Sequence, residues 1–434
     1  MQNTLEQAKL AKKAAIILAA IPSEKKNKAL IAIAHAINRK KEEILKANKK
    51  DVEEAINSKL NPSLLMRLKL DGLKIAEIVR SVNDVAKLED PVGKTLSAMA
   101  LDDGLELYQV TCPIGVIGAI FESRPDALVQ ISCLCIKSGN AVMLKGGIEA
   151  KNTNRILAEI ISEAIGKEGV PKNAVQLIET REEVKEMLAL DDYIDLLIPR
   201  GSNELVKFIK ENTKIAVLGH SSGVCHVYVD KDADINKAVK VSYDAKCQYP
   251  AVCNAMEKLI VHKDIASDFL KKIYPKYKEA NVVIKGCDKT IEILNGIKRA
   301  AEPDWSCEYN DLVLDIKIVG SVDEAIGHIN KYGSKHTDSI ITENRTAAKK
   351  FISLVDSSSV MWNASTRFAD GFRYGKGAEI GISTSKIHAR GPVGLDGLVI
   401  YKYILIGNGN IVADYSGKNA KKYTHKKLKK EMKI

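Results

Sequence analysis

Short apolar runs alternate with helix-like segments between residues 114 and 218, and this alternation restricts the folds open to the chain. Five runs are rich in β-branched or aliphatic residues: Ile114–Phe121, Ala141–Leu144, Ala174–Ile178, Ile194–Ile198 and Ile215–Leu218. The segments between them carry helical patterns, such as Ala127–Lys137, which ends before Gly139. Parallel strands buried on both faces show this pattern, with helices as crossovers. It predicts an α/β fold around a parallel sheet.

The rest of the chain divides into three further parts. Residues 4–86 have apolar residues near helical spacing and are predicted to be helical. A second α/β region runs from Cys225 to Gly391, with helices predicted near 235–246 and 322–329. Leu398–Ile406 is an apolar run, and we expect it to be a strand that pairs with another subunit. A length of 434 residues suits two or three domains.

The segments that follow the predicted strands are rich in glycine, serine and basic residues. Ligands bind parallel sheets beyond the carboxyl ends of the strands. The segments that meet there are Glu122–Arg124, Lys145–Gly147, Pro199–Ser202 and Gly219–Gly223. Small residues and helix N-termini suit a ligand that carries phosphates. No GxGxxG follows the first strand, so a nucleotide would be held differently from the usual dinucleotide fold.

The formal net charge is +11, and residues 418–434 contribute +7 of it. A lysine-rich final segment is typical of a solvated or frayed tail, although a basic nucleic-acid-binding protein is an alternative from another class. No run approaches the ~20 apolar residues that cross a membrane. The eight cysteines form no CxxC pair. We therefore expect reduced thiols, no disulfide framework and no metal site.

Four segments carry a family resemblance. Tyr249–Glu257 (YPAVCNAME), Val322–Ile340, Asn363–Gly371 and Gly377–Pro392 resemble blocks of the γ-glutamyl phosphate reductases, a branch of the aldehyde dehydrogenase superfamily. The blocks occur in the family's order, and the resemblance extends to near Gly409. It leaves the lysine-rich end of the chain unmatched.

The resemblance implies an aldehyde-dehydrogenase-like fold with a Rossmann-type cofactor domain, an α/β catalytic domain and a small oligomerisation element. We assign residues 1–96 and 111–223 to the cofactor domain, 224–397 to the catalytic domain, 97–110 and 398–415 to the oligomerisation element and 416–434 to the basic tail. The implied activity is the NADPH-dependent reduction of γ-glutamyl phosphate in the cytoplasm, by a homo-oligomer. Transient contact with glutamate 5-kinase is left open.

The resemblance also implies roles for single residues. Cys253 would form a thioester, and Asn254 and Ser123 would complete the catalytic group, with Ser123 as an uncertain oxyanion donor because ordinary aldehyde dehydrogenases carry asparagine there. The cofactor residues would be Lys145, Gly201, Ser202 and Glu308. A substrate with a carboxylate and an acyl phosphate calls for cations, and the candidates are Arg124, His226, His336, Arg367 and Lys386.

One expected residue is missing from the sequence. Hydrolytic aldehyde dehydrogenases carry a glutamate in a Glu-Leu-Gly-Gly element, and the matching segment here is Leu218-Gly-His-Ser-Ser-Gly223, without a carboxylate. A general base contributes about 10²–10⁴-fold, so its absence disfavours hydrolysis of the thioester. The alternative is an aldehyde dehydrogenase or acyl-phosphate reductase with a different substrate.

Overall fold

A computed structural model describes residues 4–220 and 222–432, and these residues form two compact units. The first unit contains the chain up to Gly201, Phe208–Val217 and the chain from Gly394 onward. The second contains Ser202–Lys207 and Leu218–Val393. The α/β fold class predicted from the sequence is confirmed. Among the described residues, no helix combines the length and the apolar character needed to cross a bilayer.

Up to residue 211 the elements are α1 (Thr4–Ala19), α2 (Ser23–Arg39), α3 (Lys41–Asn57), α4 (Pro62–Leu68), α5 (Gly72–Lys87), β1 (Thr95–Asp102), β2 (Leu105–Pro113), β3 (Val116–Phe121), α6 (Pro125–Lys137), β4 (Ala141–Lys145), α7 (Lys151–Lys167), β5 (Val175–Ile178), α8 (Arg181–Leu188), β6 (Leu196–Arg200) and α9 (Asn203–Glu211). The predicted helical character of residues 4–86 is confirmed.

From residue 225 the elements are β7 (Cys225–Val229), α10 (Ile235–Cys247), β8 (Met256–His262), α11 (Lys263–Glu279), β9 (Val283–Gly286), α12 (Asp288–Ile293), β10 (Lys298–Arg299), β11 (Val313–Val319), α13 (Val322–Tyr332), β12 (Thr337–Ile341), α14 (Arg345–Leu354), β13 (Ser359–Trp362), β14 (Gly381–Ser383), β15 (Gly391–Val393), β16 (Val399–Ile406) and β17 (Lys426–Lys427).

The first unit is built on a parallel sheet with the strand order β5-β4-β3-β6. In the middle of this sheet, Ile117 lies between Val142 and Leu196. All six residues of β3 are buried because helices α1, α6 and α7 pack on the sheet. Local signals agree with this layout, since Pro125 occupies the first turn of α6 and Thr180 and Glu183 form a capping box at α8.

The strand predicted at 215–218 is reduced to one bridge. Val217 pairs in parallel with Leu197, and no longer strand forms there among the described residues. The other four predicted runs became strands β3 to β6 with shifts of a few residues at their ends. The sheet therefore has four full strands and a fifth short contact.

A second sheet in the first unit is antiparallel, with the order β16-β2-β1-β17. Strand β16 pairs along its whole length with β2 of the same chain, from Val399 opposite Pro113 to Ile406 opposite Glu106. The sequence did not indicate this partner within the chain. The outer edge of β16 has no neighbouring strand in the described ranges, and its pairing with another subunit stays a prediction.

The basic tail is largely exposed, as expected for a solvated segment, but it is not frayed along its length because part of it pairs with β1. Leu428 N–H donates to the Ala98 carbonyl at 2.9 Å, and Lys427 pairs with Met99. The Lys430 ammonium lies 2.6 Å from a carboxylate oxygen of Glu106. Apolar side chains at Leu428 and Met432 pack on a small core of the antiparallel sheet. The tail is therefore an added edge strand, and much of its charge stands on its exposed side.

The second unit contains a seven-stranded parallel sheet with the order β10-β9-β11-β8-β7-β12-β13. Helices α10 and α11 cover one face, where Phe269 and Tyr277 are buried against the strands. Helices α13 and α14 cover the other face, where Phe351 stacks on Tyr228 with ring centroids 6.3 Å apart. Covering both faces leaves the strand ends and their loops as the place for chemistry.

Candidate active site around Cys253

Cys253 lies in the loop between α10 and β8, in the second unit, and its side chain is half-buried. The loop is held from three directions. The Cys225 thiol donates to the Cys253 carbonyl at 3.2 Å, and the Asn254 side-chain N–H donates to the Ala369 carbonyl at 2.8 Å. Gly223 packs against the same backbone. The position of the sulfur is thus fixed by its neighbours and not by its own loop alone.

Two imidazoles flank the sulfur. One ring nitrogen of His220, one of His336 and the Cys253 Sγ all lie within 4.8 Å of one another. The rings of the two histidines meet edge to face, with centroids 4.9 Å apart. His336 is fully buried, and this burial, with a smaller contribution from His220, lowers the pKa of its imidazole well below the ordinary value. His336 is therefore neutral at physiological pH.

The electrostatic surroundings hold the sulfur as a thiol. Burial raises the pKa of Cys253 to about 12, and the carboxylates of Glu308 and Glu379 act in the same direction. The Arg367 guanidinium acts in the opposite direction. Arg367 is itself buried, and its Nε–H donates to the Gln248 side-chain oxygen at 3.0 Å. A buried guanidinium beside a nucleophile suits a substrate that carries a carboxylate or phosphate.

The loop that carries Glu308 is fastened to β8, the strand that follows Cys253. The Lys258 ammonium donates to the Cys307 carbonyl and to Asp315, both at 2.8 Å. The Asn310 N–H donates to Glu257 at 3.2 Å. Glu308 itself accepts from the Asn203 side chain at 3.1 Å. Two consecutive residues of β8 therefore couple the position of Glu308 to that of the cysteine loop.

The first unit contains two of the cofactor candidates at the carboxyl ends of its parallel strands. Lys145 ends β4 and is half-buried, while Gly201 follows Arg200, which ends β6. Cations at this edge fit a cofactor that carries phosphates. In the second unit, Ser202 accepts from the Leu205 N–H at 3.3 Å as the cap of α9. These three cofactor assignments, and that of Glu308, stay predictions.

Ser123 has a conformation and partners that the sequence did not indicate. Its φ of 41° lies in the left-handed region, and its side chain is fully buried. Its N–H donates to Glu149 at 2.7 Å, and its hydroxyl donates to the same carboxylate oxygen. Both donors of Ser123 are thus engaged. It can serve as an oxyanion donor only if Glu149 releases it.

Three of the proposed substrate cations have other partners. His226 is fully buried on β7, and its Nδ1 lies 2.8 Å from Asp338. Lys386 forms an ion pair with Asp356 at 2.9 Å, and Arg124 forms one with Asp126 at 2.9 Å. His226 is thus enclosed and held by a carboxylate, and its role toward the substrate stays a prediction. Among the candidates in the second unit, the structure places His336 and Arg367 near Cys253.

Comparison with known proteins places the chain in a family. The aldehyde dehydrogenase family model matches residues 2–293. A γ-glutamyl phosphate reductase from Methanosarcina acetivorans is 58% identical, over 96% of each chain, and one from Methanococcoides burtonii is 56% identical, over 99% of this chain and 98% of the other. The crystal structure of a γ-glutamyl phosphate reductase from Thermotoga maritima superimposes with a TM-score of 0.93, at 44% identity, covering 94% of this chain and all of the other.

The chain belongs to the γ-glutamyl phosphate reductase family. The resemblance seen in the four sequence blocks is confirmed, and so is the aldehyde-dehydrogenase-like fold. As an aldehyde dehydrogenase family member, the chain is an oxidoreductase that uses a nicotinamide cofactor.

Four residues that contact the predicted site residues were not identified from the sequence: His220, Gln248 and Glu379 in the second unit, and Glu149, which binds Ser123, in the first. Two of them had a usable signal, because Glu379 lies within the block Gly377–Pro392 and His220 lies in the segment noted for its missing glutamate. Two other carboxylates, those of Glu379 and Glu308, lie close to Cys253. No carboxylate lies in the segment itself, but these two are near enough to raise the pKa of Cys253.

Proposed function

We propose that the protein reduces L-γ-glutamyl 5-phosphate to L-glutamate 5-semialdehyde with NADPH, releasing phosphate, as the second step of proline biosynthesis. The observation that carries the proposal is the grouping of Cys253 with the buried Arg367 and the neutral His336 in one site. The names and high identities of the relatives support the same substrate. The eight unpaired cysteines agree with a reducing compartment such as the cytoplasm.

In the first half of the reaction, Cys253 is the nucleophile. Its deprotonated sulfur attacks the acyl carbon, the new S–C bond forms, and the C–O bond to phosphate breaks with its electrons leaving on phosphate. Arg367 pairs with an anionic group of the substrate, because a guanidinium binds carboxylate or phosphate through two N–H groups. The backbone N–H of Cys253 is the candidate donor to the developing oxyanion.

Lys145 and Gly201 remain our proposed cofactor residues in the first unit, and Ser202 and Glu308 remain our proposed cofactor residues in the second. Lys145 offers a point charge suited to a ribose phosphate, which supports NADPH. Bound NADPH supplies the hydride that reduces the thioester carbon. Glu308 is available for a ribose hydroxyl because the Lys258 and Glu257 contacts fix its loop.

The site disfavours hydrolysis of the thioester. The segment around His220 carries no carboxylate to activate water, and burial makes it costly for His336 to become charged by taking a proton from water. Phosphate is therefore the expected partner nucleophile in the reverse direction.

The reverse reaction tests this function. Purified protein is mixed with glutamate 5-semialdehyde, NADP⁺ and phosphate, and the absorbance of the reduced nicotinamide is followed. We expect turnover that requires phosphate, that is faster with NADP⁺ than with NAD⁺, and that is lost in Cys253→Ser with the fold retained. Oxidation of the aldehyde at an equal rate without phosphate would contradict the proposal and favour a hydrolytic aldehyde dehydrogenase.

A further inference from the structure

The Cys253 thiol must lose a proton before it can attack. Burial holds its pKa near 12, so at neutral pH very little thiolate exists without help. The groups close to the sulfur are two imidazoles, two carboxylates, the Cys225 thiol and one guanidinium. The imidazoles are the candidates for accepting the proton by geometry, because a ring nitrogen of each lies within 4.8 Å of the sulfur.

The tautomer of His220 is set by a carbonyl. Its Nδ1 lies 2.8 Å from the Ile382 carbonyl oxygen, and a carbonyl only accepts, so Nδ1 carries the hydrogen. In the neutral ring the lone pair is then on Nε2. Ile382 belongs to β14 and is paired with Pro392 of β15, which fixes the carbonyl. The Gly219 carbonyl accepts from the Thr384 N–H at 3.4 Å. The residue before His220 is therefore held by the residue that follows β14.

His336 is the poorer proton acceptor of the two. Its Nδ1 lies 2.9 Å from the Thr337 hydroxyl and 3.7 Å from the Cys225 sulfur, and its ring has no exposed surface. Charging a ring that is fully enclosed is costly. The His220 ring is only half-buried, so water can solvate its cation.

We propose that His220 is the general base that takes the proton from Cys253 and later returns it, an inference that rests on the proposed function. The S–H proton moves to Nε2 as the S–C bond forms and phosphate leaves. After hydride has reached the thioester carbon, the oxyanion collapses to the aldehyde, the C–S bond breaks, and the thiolate takes the proton back from the imidazolium. The phosphate takes up one proton from solvent as it leaves, so the complete reduction consumes one proton together with the hydride, and the cysteine and His220 return to their starting states.

The pH-dependent rate of Cys253 alkylation by iodoacetamide, followed by mass spectrometry, tests this role. His220→Asn is the decisive variant, because its amide can still donate to the Ile382 carbonyl but has no basic nitrogen. His220→Gln places an amide near Nε2 and is the second variant. His35→Gln, on the exposed face of α2, is the matched control.

We expect both His220 variants to alkylate and turn over about 10²–10⁴-fold more slowly at pH 7, with recovery as the pH rises and hydroxide replaces the base. The control should match the wild type. Rates within twofold of wild type in both His220 variants would overturn the proposal, and so would a pH profile that moves in Glu308→Gln but not in His220→Asn.

Two measurements distinguish failure of this inference from failure of the proposed function. If alkylation of Cys253 leaves turnover intact, the proposed function fails, whereas an unchanged pH profile in the His220 variants removes only the base. The second readout is histidine ¹⁵N NMR on the unmodified protein, which does not depend on folding of the variants. It should show His220 with the hydrogen on Nδ1; the opposite tautomer would contradict the proposal.

Discussion

The backbone of Gly223 lies against the backbone of Cys253, so closely that a Cβ on Gly223 would stand 2.2 Å from the Cys253 carbonyl oxygen. Atoms without a bond between them do not approach to that distance, so only glycine fits while the cysteine loop keeps its place. Gly223 precedes β7, the strand that begins with Cys225, whose thiol donates to the same carbonyl. Gly223 and the first residue of β7 therefore both contact the backbone of the nucleophile.

Replacing Gly223 by alanine should push the cysteine loop away from its working position. A displacement of about 1 Å in a catalytic group can cost about 100-fold in rate, and we expect a loss of that size in kcat/KM. Gly327→Ala is the matched control, because a Cβ on Gly327, within α13, meets no atom within 4 Å. The control should keep full activity and be stabilised by about 0.5–1 kcal/mol. Full activity in Gly223→Ala would show that the loop adapts.

Arg367→Lys should weaken substrate capture even though the charge is kept. Lysine lacks the planar fork that binds an anion through two N–H groups and cannot reproduce the Nε–H bond to Gln248. We expect kcat/KM for the semialdehyde and phosphate to fall about 10- to 100-fold. Arg345→Lys, at the exposed start of α14, is the control. Unchanged steady-state kinetics in Arg367→Lys would remove this residue from the site.

Stability should fall as the pH is lowered from 7 to 5, because His328 and His336 are buried as neutral rings. Burial, helped by His226, lowers the pKa of His328 to about 2, and His336 shifts in the same direction. Below the unfolded-state pKa of about 6.5, the unfolded chain binds protons that the folded rings do not. Stability is therefore complete above that pH and is lost below it, by up to about 1.4 kcal/mol per pH unit for each histidine.

Urea denaturation at pH 5, 6 and 7 measures this dependence, with His328→Phe as the test variant. Phenylalanine can pack beside Trp305 and Tyr332 as the imidazole does, and it removes one titrating group. The variant should show a slope smaller by about 1.4 kcal/mol per pH unit. His35→Gln should keep the wild-type slope because His35 is exposed in both states. Equal slopes for His328→Phe and the wild type would contradict the assignment.

A chain that ends at Tyr423 should be less stable and more prone to associate. Truncation removes β17 and the apolar contacts of Leu428 and Met432, and it uncovers the hydrogen-bonding edge of β1. We expect a lower Tm and larger species in analytical ultracentrifugation, with catalysis retained. Lys429→Ala in the full chain is the control for lost charge. RNA retained by the full chain and released by the truncated one would favour the nucleic-acid role instead.

Strands β3 to β6 could be predicted because each corresponds to a short apolar run. Such a run indicates a buried strand without knowledge of distant contacts. The tail could not be predicted, because the apolar residues that pack on the sheet in its described part are Leu428 and Met432, and the lysines around them dominate its composition. His220 was missed for another reason. Its tautomer depends on Ile382, which is 162 residues away, and such a contact exists only after folding. Arg367 and His336 were found through the family blocks, whereas their burial was not visible in the sequence.

Trapping the acyl-enzyme tests the account most directly. The protein is incubated with glutamate 5-semialdehyde and NADP⁺ without phosphate, quenched in acid and digested, and the peptides are analysed by mass spectrometry. The account predicts a glutamyl group on Cys253, lost when phosphate is added before the quench. An adduct on another cysteine, or reduced nicotinamide formed in stoichiometric amount with Cys253 unmodified, would contradict it.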